Sequence, residues 1–117
     1  MNTFHLKQWT EILVNEALDF VKVASTLDLK PGSAMAVDVK GKTVALFNVA
    51  GKICAIDNTC LHQGGPLAEG TLAGDIVTCP WHQWEYNVCT GANVGDESLK
   101  LATYPVEIEG TDIKVAV

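Results

Sequence analysis

The chain reads as an all-β, antiparallel sandwich with a short helix ahead of it. Three observations carry that reading. From Val21 onward Gly, Pro and Asn recur every few residues and leave only short segments between them. In those segments large apolar side chains alternate with small or polar ones, as in Met35-Ala36-Val37-Asp38-Val39-Lys40. The 117 residues, 48% apolar and 19% charged, describe a single compact domain large enough to bury a real core.

Taken in order, Leu6, Trp9, Leu13, Ala17 and Phe20 recur at spacings of three and four, with Glu11 and Glu16 off that stripe. This period predicts a helix over residues 4–20, packed on its own domain or on a subunit, with His5 on its surface. Residues 1–20 are therefore an N-terminal helical extension and residues 21–117 one domain. Pro31-Gly32 marks a turn before the first alternating strand. Lys40-Gly41-Lys42 turns the chain into a strand over 43–48, and Ala50-Gly51 turns it again into 52–57, which makes a three-strand meander. Two loops rich in Cys, His, Gly and Pro follow, with short strands at 75–78 and 84–87. The pair 106–109 and 113–117, joined by Gly110-Thr111-Asp112, closes the chain.

Lys and Arg number 8 and Asp and Glu 14, a net charge of −6. That balance argues against a nucleic-acid backbone as partner. No run approaches the roughly 20 apolar residues of a membrane span. Lys7, Glu11, Glu16 and Asp19 interrupt any secretory leader. A cytoplasmic location follows as the expectation, and there four cysteines read as metal ligands or thiols before disulfides.

Two segments carry chemistry. Cys60-Leu61-His62-Gln63-Gly64-Gly65-Pro66-Leu67 holds a Cys-x-His pair, and Cys79-Pro80-Trp81-His82-Gln83-Trp84 holds a Cys-x-x-His pair. Sixteen residues, 63–78, separate them, and two of the chain's 3 histidines fall in this pattern. Two thiolates and two imidazoles suit zinc or iron–sulfur iron. Zinc fingers pair cysteine with cysteine and histidine with histidine, so the mixed pairs favour iron–sulfur and leave zinc as the alternative.

These residues closely resemble the Rieske proteins. Cys60, His62, Gly64, Pro66, Leu67 and Gly70 look like the first Rieske loop. Cys79-Pro80-Trp81-His82, Trp84, Tyr86, Thr90 and Gly91 look like the second, and Tyr104-Pro105-Val106 like the family's closing strand. The resemblance spans residues 21–117. It implies a Rieske-like antiparallel β-sandwich with a cluster-binding subdomain of two loops. It also implies one [2Fe–2S] cluster, with Cys60 and Cys79 on the inner iron and His62 and His82 on the outer. Gln63, Gly64, Gly65, Pro66, Pro80, Trp81, Gln83, Trp84 and Tyr86 would surround it. Neutral imidazoles in place of two thiolates raise the potential above that of four-cysteine clusters.

The resemblance also places the chain within the family. Rieske proteins of the cytochrome bc complexes bridge their loops with two further cysteines, whose positions here are Gly65 and Trp81. Their serine donor to a cluster sulfur is here Trp84, while their tyrosine donor has a counterpart in Tyr86. Fewer hydrogen bonds to the sulfurs predict a potential toward about −150 mV, the low end of the Rieske range. Gln83 stands where the ferredoxins and oxygenases usually have glycine, and Asn87 where aspartate is common. If that glycine has positive φ, Gln83 is strained or the loop is reshaped. Cys54 and Cys89 match no motif and read as small buried apolar residues rather than a disulfide.

Histidine arithmetic narrows the function. With His62 and His82 in the cluster, only His5 is left, so the chain cannot build the two-histidine iron site of an oxygenase. No phosphate-binding glycine motif offers a nucleotide site. The expected role is a monomeric electron-transfer component, a ferredoxin rather than an enzyme. It takes one electron from a flavin-containing reductase and passes it to a terminal oxygenase of an aromatic-ring hydroxylating dioxygenase system. The small subunit of a nitrite reductase is the second reading, and a zinc-stabilised interaction module a distant third.

Overall fold

Two tight hairpins organise the centre of the molecule. In the computed structural model, which describes residues 19–61, 64–81 and 83–117, strands β2 (Ala34–Val39), β3 (Lys42–Val49) and β4 (Lys52–Asp57) form the expected meander. Lys40 and Gly41 have φ of 51° and 82°, and Ala50 and Gly51 have 52° and 99°. Two left-handed residues in a two-residue loop match the right-handed twist of the flanking strands and fix their register.

The other strands assemble around this meander. They are β1 (Phe20–Ser25), β5 (Thr71–Ala73), β6 (Ile76–Thr78), β7 (Glu85–Asn87), β8 (Thr103–Tyr104), β9 (Val106–Glu109) and β10 (Asp112–Ala116). They form three antiparallel sheets in the orders β1-β10-β9, β2-β3-β4-β8 and β5-β6-β7.

The middle sheet is covered on both faces. Val44, Ala45, Leu46 and Phe47 of β3 are each fully buried. Their alternation sends Val44 and Leu46, with Ile53 and Ala55, into a core shared with Ile113 and Val115 of β10. Ala45 and Phe47, with Ile56, face a second core made with Leu67, Val77, Tyr86, Val88 and Leu101. The expected sandwich is thus present and gains a third layer, the small sheet β5-β6-β7. That layer grows from the segment between β4 and β8, which carries both Cys/His loops.

Residues 1–18, and with them His5 and nearly all of the helix expected over 4–20, lie outside the described residues. Phe20, placed at the end of that helix, instead opens β1 and pairs with Ala116. Among the described residues no helix is long and apolar enough to cross a membrane.

The reading of Cys54 and Cys89 as unbonded apolar residues is corrected. They form a disulfide with a Cα–Cα separation of 5.0 Å. Cys54 sits in β4 and Cys89 in the turn after β7. Stacking the third layer on the outer face of the middle sheet brings the two within bonding reach. Cys54 is nevertheless buried in the second core, as expected of it.

Candidate metal centre

The loops at residues 60–67 and 79–84 share one backbone frame. In the first, the Cys60 N–H donates to the Gly65 carbonyl at 2.9 Å, and the Cys60 carbonyl accepts from the Gly64 N–H at 2.9 Å. In the second, the Cys79 N–H donates to the Trp84 carbonyl at 2.7 Å, and the Cys79 carbonyl accepts from the Gln83 N–H at 3.1 Å. The offsets from each cysteine are the same. The residue four positions on is left-handed in both, Gly64 at φ 77° and Gln83 at φ 62°. The loop is therefore not reshaped to spare Gln83, which takes the conformation glycine adopts freely.

Both thiols are buried, Cys60 at 2% and Cys79 at 1% exposure. Asn58 ties the first loop to the following helical turn. Its carbonyl accepts from the Leu67 N–H and its Oδ1 from the Ala68 N–H, both at 2.8 Å. The Tyr86 hydroxyl lies 3.4 Å from Cys60 Sγ and accepts the Leu61 N–H at 3.2 Å. With that N–H directed at its oxygen, the phenol keeps its own hydrogen for the sulfur. Burial, and then the hydrogen bond with Cys60, push the Tyr86 phenol up to about 12, so the donor stays protonated through neutral pH.

The loops meet across Gly65. A Cβ on Gly65 would fall 2.6 Å from Cys79 Sγ and 3.2 and 3.3 Å from Cγ and Cβ of Trp81. Gly65 and Trp81 thus face one another, and only a residue without a side chain leaves the space beside the Cys79 sulfur open. Trp84 is half-buried against the second core. Gly64, Pro80, Trp81 and Gln83 are exposed, and Pro66 is half-buried. His62, Gln63 and His82 lie outside the described residues. Leu61 and Trp81, next to the two histidines in sequence, are 48% and 57% exposed.

Two buried thiols, a phenol directed at one sulfur and a bare glycine beside the other suit a group held by soft thiolates. The model of the Rieske [2Fe-2S] domain matches residues 19–105. The chain belongs to the Rieske family. As a Rieske protein it carries a [2Fe–2S] cluster.

Among its relatives, the chain is 35% identical over 97 residues to the ferredoxin component of a naphthalene 1,2-dioxygenase system from Pseudomonas aeruginosa. The match covers 82% of this chain and 93% of that one. Among solved structures, the ferredoxin of carbazole 1,9a-dioxygenase from Nocardioides aromaticivorans IC177 matches with a TM-score of 0.76 and 34% identity, over 83% of this chain and 96% of that one. The small subunit of an NADPH nitrite reductase shares the Rieske fold at a TM-score of 0.74 and 22% identity, over 86% of this chain and 100% of that one.

Sequence reasoning missed Asn58 and Asn93, and it missed the Cys54–Cys89 bond. Asn93 is buried beside Tyr86, and its Oδ1 accepts the Gly95 and Asp96 N–H groups. An asparagine bonding the backbone two residues on is a local turn signal. Asn93-Val94-Gly95 carried it, but nothing in the spacing tied that turn to Tyr86.

Proposed function

We propose that Cys60, His62, Cys79 and His82 hold the cluster, with the cysteines on the inner iron and the histidines on the outer. The protein then serves as a one-electron carrier between a reductase and the oxygenase of an aromatic-ring dioxygenase system. The observation that carries this reading is the matched pair of loops, which buries one thiol in each and leaves both loop ends at the surface. Residues 21–117 form the Rieske domain on this reading, with its first strand reaching back to Phe20 and an extension ahead of it. The protein acts as a monomer in the cytoplasm.

The bound cluster supplies the capacity to take up and release one electron. The chain does the rest. Cys60 and Cys79 keep their thiolates out of water, and Tyr86 places a hydrogen bond on the Cys60 sulfur that strengthens as negative charge accumulates. Leu61 and Trp81 give the loop ends an exposed apolar border, the kind of surface that excludes water when a partner docks. The net charge of −6 favours a basic docking patch and a fast, salt-sensitive encounter. With His5 as the one histidine outside this set, these residues cannot build the two-histidine iron site that an oxygenase uses. It is a carrier, and catalysis belongs to its partner.

An EPR spectrum of the dithionite-reduced protein tests the cluster and its ligands. A Rieske-type signal, lost on His62→Cys or His82→Cys, is expected. A colourless, EPR-silent protein holding one zinc would end the reading. Turnover with a reductase and an aromatic-ring oxygenase, slowing as salt rises, tests the carrier role. Stable co-purification with a large redox subunit would favour the nitrite reductase small subunit, which shares the fold.

A further inference from the structure

The Cys54–Cys89 disulfide closes the segment from 54 to 89, a separation of 35 residues. That segment contains Cys60, His62, Cys79 and His82. The bond therefore ties the middle sheet to the cluster-bearing layer around the whole proposed ligand set. The two cysteine residues are unequally buried. Cys54 is 6% exposed in the second core, whereas Cys89 is half-buried at the edge of that core. Both line a cleft of about 330 Å³, together with Lys52, Thr103, Tyr104 and Pro105.

We propose that this bond is a thiol–disulfide exchange site for a dithiol reductant, and that opening it loosens the hold of the chain on the cluster. A thiolate of the reductant enters the cleft and attacks Sγ of the more accessible Cys89. The Cys54–Cys89 bond breaks, and Cys54 departs as a thiolate. The second thiol of the reductant then attacks its partner sulfur in the mixed disulfide and releases Cys89. The reductant is oxidised to a disulfide by two electrons. Those two electrons reduce Cys54 and Cys89, which take up its two protons.

Burial selects a dithiol over a monothiol. The departing Cys54 thiolate is left among apolar side chains of the second core, where its charge is poorly solvated. It is held beside Cys89, so it returns to that sulfur and expels a monothiol. A second thiol tethered to the first competes with this return. Lys52, on the wall of the same cleft, offers the entering thiolate a positive charge.

The test uses the cluster-loaded protein without oxygen. Samples are treated with dithiothreitol or glutathione at equal thiol concentration, labelled with a maleimide and mapped by mass spectrometry. Labelling of both Cys54 and Cys89 is expected with dithiothreitol, and at least about tenfold less with glutathione. After the reductant is removed, visible absorbance should decay in EDTA at least about tenfold faster than in untreated protein. Re-closing the bond with oxidised dithiothreitol should restore the slow decay. The Cys54→Ser/Cys89→Ser double variant should decay at one rate with or without treatment. Labelling of both cysteines in untreated protein, or of neither after dithiothreitol, overturns the exchange site. Equal labelling by the two reagents overturns the selectivity, and an unchanged decay after opening overturns the link to the cluster.

Discussion

The two cluster loops hold their cysteines in the same pair of backbone hydrogen bonds, yet they reach that frame with different residues. At the left-handed position the first loop has Gly64 and the second has Gln83. At the next position the first has a buried glycine, Gly65, and the second a half-buried tryptophan, Trp84. In the first loop a phenol, that of Tyr86, lies against the cysteine sulfur. The frame is thus a backbone property that several side chains tolerate. The residues that are not interchangeable are those at the contact between the loops.

Gly65 is where the comparison breaks most severely. Gly65→Ala puts a methyl group 2.6 Å from Cys79 Sγ and against Trp81, so the loops must part. Overpacking of this kind costs about 2–3 kcal/mol. The expected result is loss of visible absorbance, with a lowered urea midpoint in whatever protein folds. Trp84→Phe, at the matching position of the second loop, should keep the cluster at a cost of about 1 kcal/mol. Full cluster loading in Gly65→Ala would mean that the loops do not touch there.

Alkaline pH probes the phenol on the first loop. Tyr86 and Tyr104 are both raised from 10.0 to about 12, chiefly by burial and then by hydrogen bonds to Cys60 and Asp57 respectively. A raised pKa means that the folded state keeps a proton the unfolded state has lost. The resulting stability is full below pH 10 and disappears as pH rises toward 12. For the fully buried Tyr86 the loss is about 2 kcal/mol. Urea midpoints should fall across that window, and less steeply in Tyr86→Phe. Tyr104, distant from both loops in sequence and bonded to Asp57 rather than to a cysteine, should give a stability slope without a change in the cluster spectrum.

Tyr86→Phe also tests the asymmetry at neutral pH. The phenol hydrogen bond stabilises the more negative, reduced state, so its removal lowers the potential. A net hydrogen bond of about 1 kcal/mol corresponds to roughly 45 mV for one electron. Protein-film voltammetry reads this directly. An unchanged potential would show that the hydroxyl serves only the Leu61 N–H.

The legible parts of the molecule were those that rest on local patterns. The hairpins at Lys40-Gly41 and Ala50-Gly51 follow from turn chemistry, and β2 from alternation. The two loops were marked by unlike donor pairs, which few structures other than a Rieske centre require. Strands β5 and β8, with three residues and two, are too short to carry a period, and they exist because neighbouring strands supply hydrogen bonds. The disulfide was illegible for a related reason. Pairing of Cys54 with Cys89 depends on one layer stacking on another, and a compartment argument weighed against a bond that only the tertiary arrangement reveals. Phe20 continued a helical stripe in sequence, yet its pairing with Ala116 decides its conformation.

The smallest expected effect is the most direct test of the shared frame. A left-handed conformation costs a residue with a Cβ about 1–2 kcal/mol. Glycine avoids that cost but loses about 0.4–1 kcal/mol through the greater freedom of the unfolded chain. Gln83→Gly should therefore stabilise the protein by about 0.5 kcal/mol, while Gly64→Ala, with Thr59 Cγ2 at 3.6 Å as its nearest neighbour, should destabilise it by a similar amount. Opposite signs at matched positions are what one frame with two occupants requires, and paired urea titrations resolve them. If Gln83→Gly destabilises instead, the glutamine side chain makes a contact worth more than the strain of its backbone. The candidates are Trp84, Glu85 and Asn93, which line a cleft together with Gln83. In that case the left-handed turn of the second loop would be held by its own side chain, which Gly64 at the matching position of the first loop lacks.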